Sequence, residues 1–225
     1  MHIPDGYLGP QTYGGLFIVM TPFWIKAYNY IKKNLKIKQI PLIALGAAFS
    51  FVIMMFNIPI PGGTTGHAVG GVLLSILLGP WTTSIIISIV LIIQALIFGD
   101  GGITAIAANC FNLGIIMPFA GYFVYNILKG KEPLNSKKGL ISAGIGAYVG
   151  LNMAALATAF MLGIQPYISK TSDGKPLYCP YPLHVTIPAM MIEHLLLFGF
   201  IEAIITVLVL SYLIKTNIIK EWENV

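Results

Sequence analysis

Charge is scarce in this sequence. Only 9% of its 225 residues are Asp, Glu, Lys or Arg, where a soluble domain carries about 25%. That shortage excludes an ordinary water-soluble globule and places the chain in a bilayer, as does its mean hydropathy of +0.82. Arginine is missing, so all thirteen basic residues are lysines. The net charge of +5 is no sign of nucleic acid, because the lysines sit in short blocks between apolar runs, as topology determinants do. Cysteines number two, Cys110 and Cys179, with no CxxC between them, so no disulfide framework is set. No G-x-x-x-x-G-K-[ST] run occurs, which excludes a phosphate cradle for ATP, and no H-E-x-x-H, which excludes a zinc-dependent membrane protease of that type. The start lacks the basic and apolar regions of a secretory signal, so Met1 is expected to stand at the working N-terminus with no leader ahead of it.

What the chain has is apolar runs near the roughly 20 residues that span a hydrocarbon core. They cover 13–31, 40–56, 68–78, 81–98, 103–128, 139–163 and 189–214. The third is short and ends at Gly79-Pro80, and Pro118 predicts a kink in the fifth. The segments between them are a turn-rich 57–67, a glycine turn at 99–102, a polar connector at 129–138 and a proline-bearing loop at about 164–188. The fold class expected is therefore all-α: a polytopic membrane protein of seven transmembrane helices. It forms one integral membrane domain over 1–225, with an N-terminal segment 1–12, a bundle 13–214 and a tail 215–225.

Lysine counts orient the bundle. With the N-terminus outside, the inner segments 26–38, 79–80, 129–138 and 215–225 hold five, none, four and two lysines, eleven of the thirteen. Excess lysine marks the cytoplasmic side. The N-terminus is expected outside and the C-terminus in the cytoplasm. His2, His67 and His184 then share the outer face, with His194 within two turns of it.

The opening Met1-His2 is a chelator. The Met1 amine and the His2 backbone nitrogen close a five-membered ring on a metal. The His2 nitrogen and its own imidazole close a six-membered one. Three nitrogens in a plane suit Ni(II) or Cu(II), and sometimes Co(II), and one more imidazole completes the square. His67 is the candidate, because it follows a Gly/Thr turn ahead of a short helix, and irregular backbone at membrane depth lines a cavity or is buried in protein. The plain alternatives are a frayed end for His2 and a surface or hydrogen-bonded role for His67.

Three stretches together, MHIPDGYL (1–8), PIPGGTTGH (59–67) and QALIFGDGGITAIAANCFN (94–112), resemble the substrate-binding membrane subunit of energy-coupling-factor (ECF) transporters for nickel and cobalt, the NikM/CbiM type. The resemblance covers nearly the whole chain. It implies an S-component: a six-helix core with an added N-terminal helix, whose terminus plugs the outer end. It places the ligands on Met1, His2 and His67. MHIPDGYL is closer to the nickel type than to the cobalt type, so Ni(II) is the expected transported substrate, with Co(II) possible. The implied partners are a transmembrane coupling subunit, two cytoplasmic ATPase subunits and a small auxiliary membrane protein, in a bacterial or archaeal cell membrane. No catalytic role is implied, since the ATPases lie elsewhere.

Outer-shell groups should fix the imidazole tautomers. Thr64, Thr65 and Asn109 are the candidates, with a helix–helix hydrogen bond as the other reading of Asn109. Asp100 is expected to cap the helix starting near Ile103. Glu193 and Glu202 are the only acids inside a span. A self-sufficient carrier or channel would need an internal pathway of acids, and this scarcity leaves that alternative poorly supported.

Overall fold

The computed structural model describes residues 1–60 and 64–217, without the side chains of residues 38, 59, 60, 64 and 65. The described chain forms seven helices: α1 (Pro10–Asn34), α2 (Ile40–Met54), α3 (Gly71–Leu78), α4 (Pro80–Phe98), α5 (Ile106–Lys129), α6 (Lys137–Ile168) and α7 (Leu183–Lys215). Helices α4 to α7 are long and apolar enough to cross a membrane, and α2 is a shorter apolar helix. Within 57–67, expected as turn-rich, the described residues form an antiparallel pair, β1 (Ile58–Ile60) with β2 (Thr64–Gly66), Ile58 opposite Gly66, while residues 61–63 lie outside the described ones. Of the expected tail, residues 218–225 lie outside the described residues.

Punctuation in the sequence explains most boundaries. Proline sits in the first turn of α1, α2 and α4, where its missing N–H costs nothing. Ser136 caps α6 by accepting from the Gly139 N–H at 2.9 Å. Gly70 and Gly79 bracket α3 at φ +74° and +82°, a left-handed conformation that favours glycine. Helix α7 departs most from expectation. It begins six residues early, at Leu183, and carries Pro188 in its second turn. A proline so near a helix start removes one bond without ending the helix.

Three helices contain π-type turns, at Gln94–Phe98, Cys110–Ile116 and His194–Phe198. The second ends two residues before Pro118 and loosens the backbone that the proline ring would otherwise crowd.

Helix α3 is the centre. Its residues 71–75 are all buried, and α4, α5 and α6 surround it. Helix α6 can sit close to α5 and α7 because its buried face is small: Gly139, Ala143, Ala147, Gly150 and Ala154. Between helices in lipid, where burial from water gives little, such close backbone approach is the main source of cohesion. Large apolar side chains face outward instead, among them Ile18, Leu45, Ile97, Phe123, Leu196 and Leu208.

Candidate metal centre

Residues 1–9 fold back over one end of this bundle and are tied down at every second residue. The Ile3 N–H donates to Asn109 Oδ1 at 2.8 Å, while its carbonyl accepts from Asn109 Nδ2 at 3.1 Å and from the Gly102 N–H at 2.9 Å. Asp5 accepts from the Ile103 and Thr104 amides at 3.0 and 2.9 Å and from the Thr104 hydroxyl. Tyr7 O accepts from Cys179 N at 3.1 Å, and Gly9 N donates to Gln165 Oε1 at 2.9 Å. The strap lies so close to the 99–104 turn that a Cβ on Gly102 would stand 2.4 Å from the Asp5 nitrogen. Glycine is required there for space.

The strap buries its own start. Met1 and Ile3 are each 1% exposed, His2 is 7% and His67 is 1%. The rings of His2 and His67 lie 4.6 Å apart at their centroids, tilted by 33°. His67 reaches this point from the turn that links β2 to α3. Its Nδ1 bonds the Ala68 carbonyl at 3.0 Å, which fixes the proton on Nδ1 and leaves the Nε2 lone pair bare. That Nε2 is buried without a hydrogen-bond partner among the described residues. His2 behaves in parallel: Nδ1 lies 2.9 Å from Asp100 Oδ1, and Nε2 is buried and unpartnered. Asp100 Oδ2 in turn accepts from Asn57 Nδ2 at 3.2 Å.

Burial sets the charge of these groups. It pushes the Met1 amine down from its ordinary 8.0 to about 5, against the pull of Asp100 and Glu193. The amine is thus neutral at pH 7, with a lone pair to give. Burial also lowers His2, opposed by its bond to Asp100, and drives His67 well below the usual histidine range, helped by the neighbouring amine and His2. Burial alone would raise Asp100, but the His2 hydrogen bond and nearby positive charge outweigh it and hold the carboxyl below its ordinary value. The cluster is three neutral nitrogen bases beside one carboxylate.

Among the described residues, no three His, Cys, Asp or Glu side chains gather into a metal cage. Two imidazoles with an amine and a backbone amide need no such cage. A six-membered chelate at His2, however, closes through Nδ1, and here Nδ1 is engaged by Asp100. Its formation requires the ring to turn about the Cβ–Cγ bond and release the carboxylate.

The structure thus brings Met1, His2 and His67 to one place and corrects the roles of their neighbours. Asn109 binds the Ile3 N–H and carbonyl, so it anchors the strap. Thr64 and Thr65 lie on β2, and their side chains are outside the described ones. Asp100, expected to cap the helix starting near Ile103, holds His2 instead, and Asp5 takes the Ile103 and Thr104 amides of the turn ahead of α5. The His2–Asp100 contact spans 98 residues, and only the sharp 99–102 glycine turn gave any sign of it. His184 is exposed. His194 is buried, with Nδ1 on Met190 O at 2.7 Å and Nε2 unpartnered.

A helical bundle with outward-facing apolar side chains, closed at one end by its own N-terminus over a buried nitrogen cluster, defines a polytopic membrane protein. The model of the CbiM family, the cobalt uptake substrate-specific transmembrane region, matches residues 2–218, and the chain belongs to that family. It is 50% identical over 218 residues to a putative metal transport protein of Methanocaldococcus jannaschii, covering 96% of this chain and 93% of that one. It is 49% identical over 214 residues to the probable fused nickel transport protein LarMN of Lactiplantibacillus plantarum. The fused nickel transport protein NikMN of Rhodobacter capsulatus is 46% identical over 217 residues. These two matches cover 94% and 96% of this chain but only 64% and 62% of the fused proteins, so the chain spans less than two thirds of their length. A crystal structure of a truncated transition metal transporter superposes with a TM-score of 0.91 at 50% identity, over 96% of this chain and 99% of that one.

Proposed function

We propose that this chain is the metal-binding S-component of an ECF-type importer, capturing Ni(II), with Co(II) as the second substrate, at the outer face. The observation that carries this is the burial of the Met1-His2 start against His67, with ring centroids 4.6 Å apart. The donors assigned are the Met1 amine, the His2 amide and imidazole nitrogens and the His67 imidazole. Four nitrogens in one plane favour Ni(II), and displacement of the amide proton ties uptake to proton release. Turning of the His2 ring away from Asp100 is the capture step.

On this reading the seven helices span the membrane, α1 being the addition to a six-helix core. The N-terminus lies outside, as the lysine distribution favours. Energy comes from a coupling subunit and two ATPases, with a small auxiliary membrane protein. The relatives whose names state fused nickel transport proteins support nickel as substrate. The alternative, a self-sufficient metal carrier, has only Glu193 and Glu202 as acids within the expected spans.

Elemental analysis and the visible spectrum of the purified chain after nickel loading test the site. One planar Ni(II) per chain is expected, and a chain that takes no metal would refute the assignment. Nickel uptake in cells with and without the ATPase subunits separates the importer from a free-standing carrier.

A further inference from the structure

Helix α7 carries a carboxylate at Glu202, fully buried in the bundle. An ionised group at such depth is expensive and needs strong partners. Glu202 finds two backbone amides: Val69 N donates to Oε2 at 2.7 Å and Gly70 N to Oε1 at 2.9 Å. Those are the amides just ahead of α3, where a helix leaves N–H groups unpaired and the dipole favours negative charge. They lie two and three residues beyond His67, in a turn that Gly70 closes at φ +74°.

The other flank of His67 is gripped by the same helix. Phe198, one turn before Glu202, lies against Gly66 so closely that a Cβ there would stand 1.9 Å from the ring. Between these two grips the His67 ring has little independence, because its Nδ1 is bonded to the carbonyl of its own neighbour Ala68 at 3.0 Å. The direction of Nε2 therefore follows the backbone of residues 66–70, and that backbone follows α7.

We propose that Glu202 is a positioning residue for metal capture, fixing through the Val69 and Gly70 amides the direction in which His67 presents Nε2. The inference rests on His67 being a ligand, as proposed above. A carboxylate suits the task better than an amide, since both its oxygens accept and the two donors converge on one side chain. Glutamine offers one acceptor and turns an N–H toward the second donor.

The test is a double-mutant cycle on the full-length chain in detergent, titrated with Ni(II) and followed by the visible band of the planar complex. Glu202→Gln is expected to lower affinity about tenfold, the lower end of what loss of an outer-shell partner costs, and to move the band toward lower energy, the direction also expected of His67→Ala. In the His67→Ala background, Glu202→Gln is expected to cost less than twofold, because the residue through which it acts is gone. Unchanged affinity in Glu202→Gln, or losses that add in full, would overturn the proposal while leaving His67 as a ligand. An unchanged spectrum and affinity in His67→Ala would overturn both readings. Should Glu202→Gln fail to fold, Glu202→Asp keeps the charge, withdraws it by one methylene and serves in the same cycle.

Discussion

The two histidines of the centre are held by opposite means. His67 is built into the bundle: its Nδ1 is tied to a backbone carbonyl one residue away, and its loop is gripped on both flanks by α7. His2 is on a strap, held by the side chains of Asp100, Asn109 and Gln165 at or near the ends of α4, α5 and α6. One is fixed and the other is clasped. A fixed donor waits for the ion, whereas a clasped one can open to admit it and close to hold it. Burial of both rings says little about this difference, and the identity of each Nδ1 partner says a great deal.

Five experiments would break or sharpen that contrast. An extra residue ahead of Met1 removes the amine from the clasp, and Ni(II) affinity is expected to fall by more than roughly 100-fold, beyond the loss of an outer-shell partner, with the helical content intact by circular dichroism. Retained planar binding would refute the donor set. His67→Ala removes the fixed side and is expected to cost roughly 100-fold by isothermal titration, leaving the strap docked.

Acid should loosen the clasp. In the metal-free protein the docked amine titrates at about 5 and the released one at about 8.0. Between those values the released terminus holds a proton that the docked one lacks. Docking is therefore most stable above pH 8 and weakens as the pH falls toward 5, and the lowered His2 adds to the loss in the same direction. Hydrogen exchange at the Ile3 amide reads this directly, and exchange independent of pH after correction for the intrinsic rate would contradict it. Asp100→Ala deletes a bond that capture must break, so it is expected to tighten Ni(II) binding by a few-fold, about 1 kcal/mol for one hydrogen bond. A tenfold loosening would instead leave the metal on Nε2 with the carboxylate still attached. The smallest change is Asp5→Ala, which strips the carboxylate from the 103–104 amides and is expected to lower the strap's stability by about 1 kcal/mol, seen as faster exchange at Gly102.

How much of this was legible in the sequence follows from the range of the interactions. Apolar length and proline position are local, so the seven helices α1 to α7 were foreseen, and most of their ends fell within three residues. The start of α7 was missed because Pro188 reads as a stop when it is a tolerated early-turn residue. The β1–β2 pair was missed because its strands are three residues each, too short to show alternation. Met1, His2 and His67 stood out by the chemistry of their types. The partner of Asn109, the Ile3 backbone, and that of Asp100, His2 rather than a helix end, were not foreseen, because both contacts reach across about a hundred residues. No local pattern encodes which carboxylate faces which partner.

The three widened helical turns have a bearing on how such a centre could change. Each adds a residue to its turn, and one residue corresponds to roughly 100° of rotation about a helix axis. Gln94–Phe98 leads into Asp100, Cys110–Ile116 follows Asn109, and His194–Phe198 ends at the ring against Gly66. Deleting a single codon at any of them would keep the helix apolar and nearly as long while swinging one neighbour of the centre to a new bearing. The bundle thus has three separate dials by which descent could retune what it grasps without redesigning what it is.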